Sequence, residues 1–191
     1  MKIIDAHYTQ TLVVKQSKFI AHLVPFYMYN SVLQQLQSEH PKARHFVTAF
    51  RYLNDMEQIV EGSSDDGEPR GTSGKPTLNV LQGHDLINVG IITVRYFGGT
   101  KLGTGGLVRA YSDAANGVVA LATIQEYKKE VSARFQCHYA TLQLVEYTLE
   151  QCHITRVEKQ FEAEHVTVTV ISDDATLSQF FSILERQIIR L

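Results

Sequence analysis

The sequence has no tryptophan, only two cysteines and four prolines, and no apolar run long enough to cross a bilayer. Cys137 and Cys152 stand fifteen positions apart without a C-x-x-C partner, which suits neither a disulfide framework nor a zinc knuckle, so both read as buried apolar fillers. The eight histidines show no H-E-x-x-H or comparable ligand spacing, and no metal or cofactor is expected. A membrane span needs roughly 20 apolar residues. The longest candidates, 89–94 and 118–122, suit a buried strand and a helix face instead. The opening M-K-I-I-D-A-H-Y-T-Q lacks the apolar core and small-residue cleavage site of a signal peptide, so a cytoplasmic location without membrane contact is expected.

One-sided charge is also missing. The net charge of −2 excludes a surface that is uniformly a phosphate-binding field, although local patches remain open. Up to residue 125 there are 11 Lys and Arg against 10 Asp and Glu, and beyond it 7 against 10, so cationic character lies toward the N-terminal part. Glycine, by contrast, is crowded. Eleven of the twelve glycines fall between Gly62 and Gly106, where backbone must take unusual dihedrals or let another group approach closely.

Residues 9–26 are rich in β-formers and interrupted at 15–18, which predicts a hairpin. Helical spacing of Val32, Leu33 and Leu36 predicts a helix over 29–39, stopped by Pro41. Residues 44–53 alternate as a strand with Phe46, Thr48, Phe50 and Tyr52 on one face and Arg51 on the other. A long polar segment, 54–75, reads as a functional loop. Pro76 then suits the first turn of a helix capped by Ser73 or Gly74. The near-continuous apolar run 87–97 predicts a central strand. A helix follows from a Thr104 cap to about 123, with Leu107, Tyr111, Ala114, Ala115, Val118 and Leu121 as its apolar stripe. Beyond 127 the pattern becomes β-α-β-β-α, with Asp173 or Asp174 capping the last helix, as in a ferredoxin-like half-split fold. The expected architecture is α+β with two domains, 1–125 and 126–191.

Both glycine-rich stretches feed a helix N-terminus, where unpaired N–H groups and the helix dipole favour an anion. Candidate nucleic-acid or anion-binding residues are therefore Gly74 and Lys75 at the first, Gly105, Lys101 and Arg109 at the second, with Arg95 leaving the preceding strand and Arg44 opening an earlier one. The competing reading is two tight turns with solvated cations. Familiar phosphate loops do not fit. A Walker loop would need Gly where Pro69 stands and Ser or Thr where Pro76 stands, and a dinucleotide fingerprint from Gly103 meets Val108 at its third small position.

Asp65, Asp66 and Glu68 would repel phosphate unless a cation or arginine intervened. With Gly67, Gly71, Thr72 and Ser73 they read first as a loop-locking motif, in which Asp bonds nearby N–H groups and Gly67 takes a positive φ. Mg²⁺ or acid–base chemistry and partner contact are the alternatives; an Asp66–Arg70 or Glu68–Arg44 bridge is also compatible. His40, Arg44 and His45 bracket a strand start and could share a surface, but no residue is assigned a catalytic role. Tyr96 and Phe97 are either strand-end core residues or a stacking platform for bases.

The segments H-P-K-A-R-H (40–45), S-D-D-G-E-P-R-G-T-S-G-K-P (64–76) and V-R-Y-F-G-G-T-K-L-G-T-G-G-L-V-R-A-Y (94–111) resemble the IMPACT family. That resemblance implies an N-terminal domain like the second domain of ribosomal protein five of the small subunit, and a C-terminal ferredoxin-like domain like those of elongation factor G. It points toward RNA or a ribosome-associated protein as partner. Eukaryotic relatives that restrain the amino-acid-starvation kinase carry a further N-terminal domain not found in this sequence, so kinase regulation is not implied. The expectation is a non-enzymatic, translation-associated protein that binds RNA, the ribosome or a translation regulator through its Gly-rich cationic surface. The alternative is a Mg²⁺-dependent enzyme acting on a phosphorylated small molecule.

Overall fold

A computed structural model of the chain describes residues 1–185 and 187–191. After the two-residue strand β1 (Lys2–Ile3), the expected hairpin forms from β2 (Tyr8–Val14) and β3 (Ser17–Pro25). Lys15 and Gln16 make its turn, both at positive φ, the left-handed pair that matches the twist of a two-residue hairpin. A single 3₁₀ turn, Phe26–Met28, leads into α1 (Tyr29–Glu39), which buries Tyr29, Val32 and Leu36 and stops before Pro41.

The polar segment after β4 (His45–Leu53) is not one long loop. It folds back as β5 (Ile59–Ser64), paired from Thr48↔Ser64 to Leu53↔Ile59. The turn is tied by Asn54, whose side-chain oxygen accepts the amides of Met56 and Gln58 at 3.0 and 2.9 Å. An edge strand that is mostly exposed needs no apolar alternation, and I-V-E-G-S-S offers little. Then come α2 (Gly74–Gly83), β6 (Val89–Tyr96), α3 (Thr104–Ala120) and β7 (Gln125–Glu126).

The main sheet has the order β2-β3-β6-β4-β5 with every neighbour antiparallel, so the mixed fold is α+β. As expected, β6 is central and buried along nearly its whole length. Strand alternation divides the core into two layers. Phe19, Ala21, Leu23, Val47, Ala49, Val89 and Ile91 pack with the apolar faces of α2 and α3, while Ile20, Val24, Ile92 and Val94 pack with α1. Each buried Val, Leu, Ile or Phe among them contributes about 1.5–3 kcal/mol. Helix α3 ends at Ala120, so Leu121, expected on its buried stripe, lies beyond the last turn and is exposed. Strand β7 returns to pair with β1, and the Tyr127 amide donates to the Met1 carbonyl at 2.9 Å. The first compact unit accordingly runs from Met1 to Tyr127.

The second unit, Lys128–Leu191, contains β8 (Glu130–His138), α4 (Tyr139–Gln151), β9 (Arg156–Phe161), β10 (His165–Asp173), α5 (Asp174–Leu184) and β11 (Ile189–Arg190). Asp173 caps α5 as expected, accepting the Thr176 amide at 3.1 Å. Strand β11 was not legible because two residues carry no pattern; it completes β-α-β-β-α-β with the order β11-β8-β10-β9, a split βαβ arrangement. Phe135, Val145, Val168, Phe180 and Leu184 form its core. Cys137 and Cys152 are free thiols in that core, and burial pushes both up from the ordinary thiol pKa, in keeping with filler residues. Among the described residues no helix is long and apolar enough to cross a membrane.

Candidate functional site

The two glycine-rich turns have become chemically opposite. At the first, the carboxylate of Asp65 occupies the N-terminus of α2. One oxygen accepts the amides of Ser73 and Gly74 at 3.0 and 2.8 Å and the Ser73 hydroxyl at 2.7 Å; the other accepts the Gly71 amide at 2.7 Å. Ser73 therefore stands at the cap position without its own side chain capping the helix. Burial would raise the Asp65 carboxyl, but the bonds from Gly71, Ser73 and Gly74 outweigh it and hold its pKa below the ordinary value. Gly74 serves close approach: a Cβ there would lie 2.8 Å from the Ser64 backbone.

The rest of the acidic loop is locked just as firmly. Asp66 accepts the Phe46 amide through its side chain at 2.6 Å, and its carbonyl lies 2.8 Å from the His45 ring. Asp66 and Gly67 both take positive φ, and Thr72 donates its hydroxyl to the Pro69 carbonyl at 2.7 Å. Glu68 points inward, accepting from Arg95 of β6 and from the Tyr111 hydroxyl of α3 at 2.8 Å. The Arg95 and Glu68 side chains are only 6% and 4% exposed. The bridge thus runs from Glu68 to Arg95, not to Arg44. Desolvation, then the charge and hydrogen bond of Glu68, push the Tyr111 hydroxyl upward, so it stays a proton donor.

At the second turn the cap residue supplies no side-chain bond to the helix end. Gly103 stands at the cap position of α3 with φ +74° and brings no side-chain oxygen, so Thr104 begins the helix rather than capping it. A cavity of about 330 Å³ opens there, lined by Glu68, Pro69, Arg95, Phe97, Lys101 and Thr104 together with the apolar Leu102 and Leu107. Arg95 spends one nitrogen on Glu68, and its Nε has no partner among the described residues. Around Gly105 a side-chain carbon would meet nothing within 4 Å, so that face is open. A second cavity of about 340 Å³ shares Leu102 with the first and has Lys15, Arg109 and Asp113 on its walls. The Gly98 amide donates to Ser17 at 3.1 Å, which brings the β2–β3 turn, and with it Lys15, to this end of the sheet.

Of the residues expected to bind an anion, Arg95 and Lys101 line the cavity at the N-terminus of α3, Gly105 lies in its first turn, and Arg109 lines the second cavity. Arg44, Gly74 and Lys75 line neither cavity. Arg44 is exposed just ahead of β4, beside the His45–Asp66 contact. Lys75 is exposed on α2, where its charge acts on Glu61. Burial would raise the Glu61 carboxyl, but hydrogen bonds from Arg51 and Gln82 and the charges of Arg51 and Lys75 bring it below the ordinary value. His40 and His45 part company: His40 lies 2.9 Å from the Tyr96 hydroxyl, whereas His45 turns to the acidic loop. Tyr96 is thus a bonded, partly buried residue, and Phe97 alone projects into the cavity, 56% exposed. Sequence reasoning missed Lys15, hidden in a hairpin turn, and the polar end of Tyr111, which the helical period assigns to the core. Among the described residues no group of three or more His, Cys, Asp or Glu is arranged to hold a metal ion.

The Impact N-terminal domain profile matches residues 15–119, which span every residue gathered at this site. A Haemophilus influenzae protein named IMPACT family member is 34% identical over 176 residues, covering 88% of this chain and 83% of its own. The Escherichia coli IMPACT family member YigZ is 35% identical over 172 residues, covering 87% and 83%. A crystal structure described only as that of a hypothetical protein superposes with TM-score 0.67 at 32% identity, covering all of this chain and 96% of the other. With the domain profile matched over more than half its length and relatives a third identical across most of it, the chain belongs to the IMPACT family.

Proposed function

We propose that the chain is a non-enzymatic, translation-associated RNA-binding protein of the cytoplasm, and that it holds the RNA backbone at the N-terminus of α3. The observation that carries this reading is the contrast between the two helix ends: α2 is filled by Asp65, while α3 is uncapped and opens on a cavity lined by Arg95 and Lys101. Lys15 and Arg109 line the second cavity, which shares Leu102 with the first, and outnumber the single carboxylate there, Asp113. The tie to translation rests on the family resemblance.

The Mg²⁺-dependent alternative needs Asp65, Asp66 and Glu68 to gather around one cation. Their carboxylates are turned instead to α2, to β4 and to Arg95, so the geometry lends it no support.

The test is RNA binding by fluorescence anisotropy across a salt series. Each phosphate contact on a single strand contributes about −0.7 to the slope of log K against log salt. Lys101→Ala and Arg109→Ala should each flatten the slope by about one such contact. Absence of RNA binding, or an affinity indifferent to salt, overturns the reading.

A further inference from the structure

We infer that the cavity at the N-terminus of α3 takes one unstacked nucleotide of a single-stranded RNA, its phosphate on the helix end and its base on Phe97. This deepens the function proposed above and rests on it.

The cavity is divided by chemistry. One part is an anion subsite: the uncapped first turn of α3, a helix of 17 residues, with Lys101 beside it and Arg95 on the wall. Arg95 is buried and carries an Nε without a partner among the described residues, although the Glu68 bond fixes its guanidinium. A buried donor left unsatisfied is costly, and the guanidinium that carries it lines the cavity, where its positive charge favours an anion. Glu68 also lines the cavity, but its charge is already met by Arg95 and Tyr111.

The other part is apolar. Phe97 is exposed and lines the cavity together with Pro69, Leu102 and Leu107. The Arg95 guanidinium lies over the Phe97 ring, 5.8 Å from its centroid, and steadies it. Inorganic phosphate would use none of this apolar surface, whereas an unstacked base would. A cavity of about 330 Å³ suits one small ligand group rather than several nucleotides. A base paired in a duplex presents no free face, so the site selects single strands.

The experiment measures binding of a short single-stranded oligoribonucleotide, its duplex, a nucleoside 5′-monophosphate and inorganic phosphate to the full chain and to Phe97→Ala, Phe97→Tyr and Lys101→Ala. Phe97 is exposed, and retained melting temperatures confirm that its variants fold. The expected result is stronger binding of the single strand than of the duplex, with about a tenfold or greater loss in Phe97→Ala, the order of one stacked base. Phe97→Tyr should restore it, and Lys101→Ala should weaken the single strand and the monophosphate alike. If RNA binds with the expected salt dependence but duplex and single strand are equal, or Phe97→Ala is without effect, this inference fails and the broader function stands. Binding of the monophosphate without the single strand overturns both readings in favour of a free nucleotide, and absence of any RNA binding also overturns both.

Discussion

The carboxylate of Asp65 accepts the Gly74 amide at 2.8 Å, so the chain itself supplies the anion at the N-terminus of α2. Asp65→Ala strips four donors of their acceptor at once. Loss of a cap costs about 0.5–2 kcal/mol and each stranded donor about 1–3 if buried, so a loss of about 2–4 kcal/mol is expected by urea denaturation. RNA affinity should change little. The depressed pKa of Asp65 means its contribution is complete above the ordinary aspartate range and is lost as pH falls through the folded-state value. Stability measured against pH for the wild type and Asp65→Asn should show the wild type losing its advantage, so that the variant's deficit shrinks as pH falls through the folded-state value.

His22 sets a second pH dependence, in a different window. Burial, then the charges of His7 and His40, push its pKa down to about 4, with Glu39 opposing weakly. The folded chain therefore keeps His22 neutral while the unfolded chain protonates it near 6.5, and stability declines as pH falls from about 6.5 to about 4, then levels. About 3 kcal/mol is the upper scale of that loss. His22→Gln should flatten the unfolding free energy across this window; an unchanged slope would show that His22 does not carry it.

Glu68 and Arg95 form a pair that is costly to break from one side. Glu68→Ala leaves Arg95 buried and uncompensated and strands the Tyr111 hydroxyl, so a loss of about 3–5 kcal/mol is expected. Tyr111→Phe removes one neutral donor and should cost about 1 kcal/mol. A double-mutant cycle between Glu68→Gln and Arg95→Met measures the coupling directly; near-additive losses would contradict a tight pair.

Gly74 and Gly105 should respond oppositely to alanine. At Gly74 the new carbon meets the Ser64 backbone at 2.8 Å, and neither strand nor helix can yield cheaply, so Gly74→Ala should lower the melting temperature. Gly105 faces open space, and Gly105→Ala should be neutral or stabilising by up to about 1 kcal/mol while weakening RNA by crowding the end of α3. Thermal melts and anisotropy on the same two variants separate packing from binding.

Most of the elements could be read from period and punctuation: the 15–18 turn, the helix before Pro41, the buried run of β6 and the Asp173 cap all announce themselves locally. What escaped reading was short or polar. Strand β5 is an edge with little apolar pattern, and β11 has two residues. The loop motif 65–73 was legible as a lock because Asp and Gly have known turn chemistry, but its partners were not. Glu68 is joined to Arg95 across 27 positions and to Tyr111 across 43, separations that no local pattern encodes.

The sequence by itself determined the α+β class, the family and the crowding of glycine at two helix starts, because dihedral preference and apolar period act over a few residues. Only the tertiary structure decided which helix start is free. That depends on where the carboxylates land: Asp65 folds back onto α2 and satisfies its amides, while Glu68 is held by Arg95 and Tyr111, and Gly103 brings no side chain to cap α3. Two similar stretches of glycine thereby become one helix start filled by the chain's own carboxylate and one that borders a cavity.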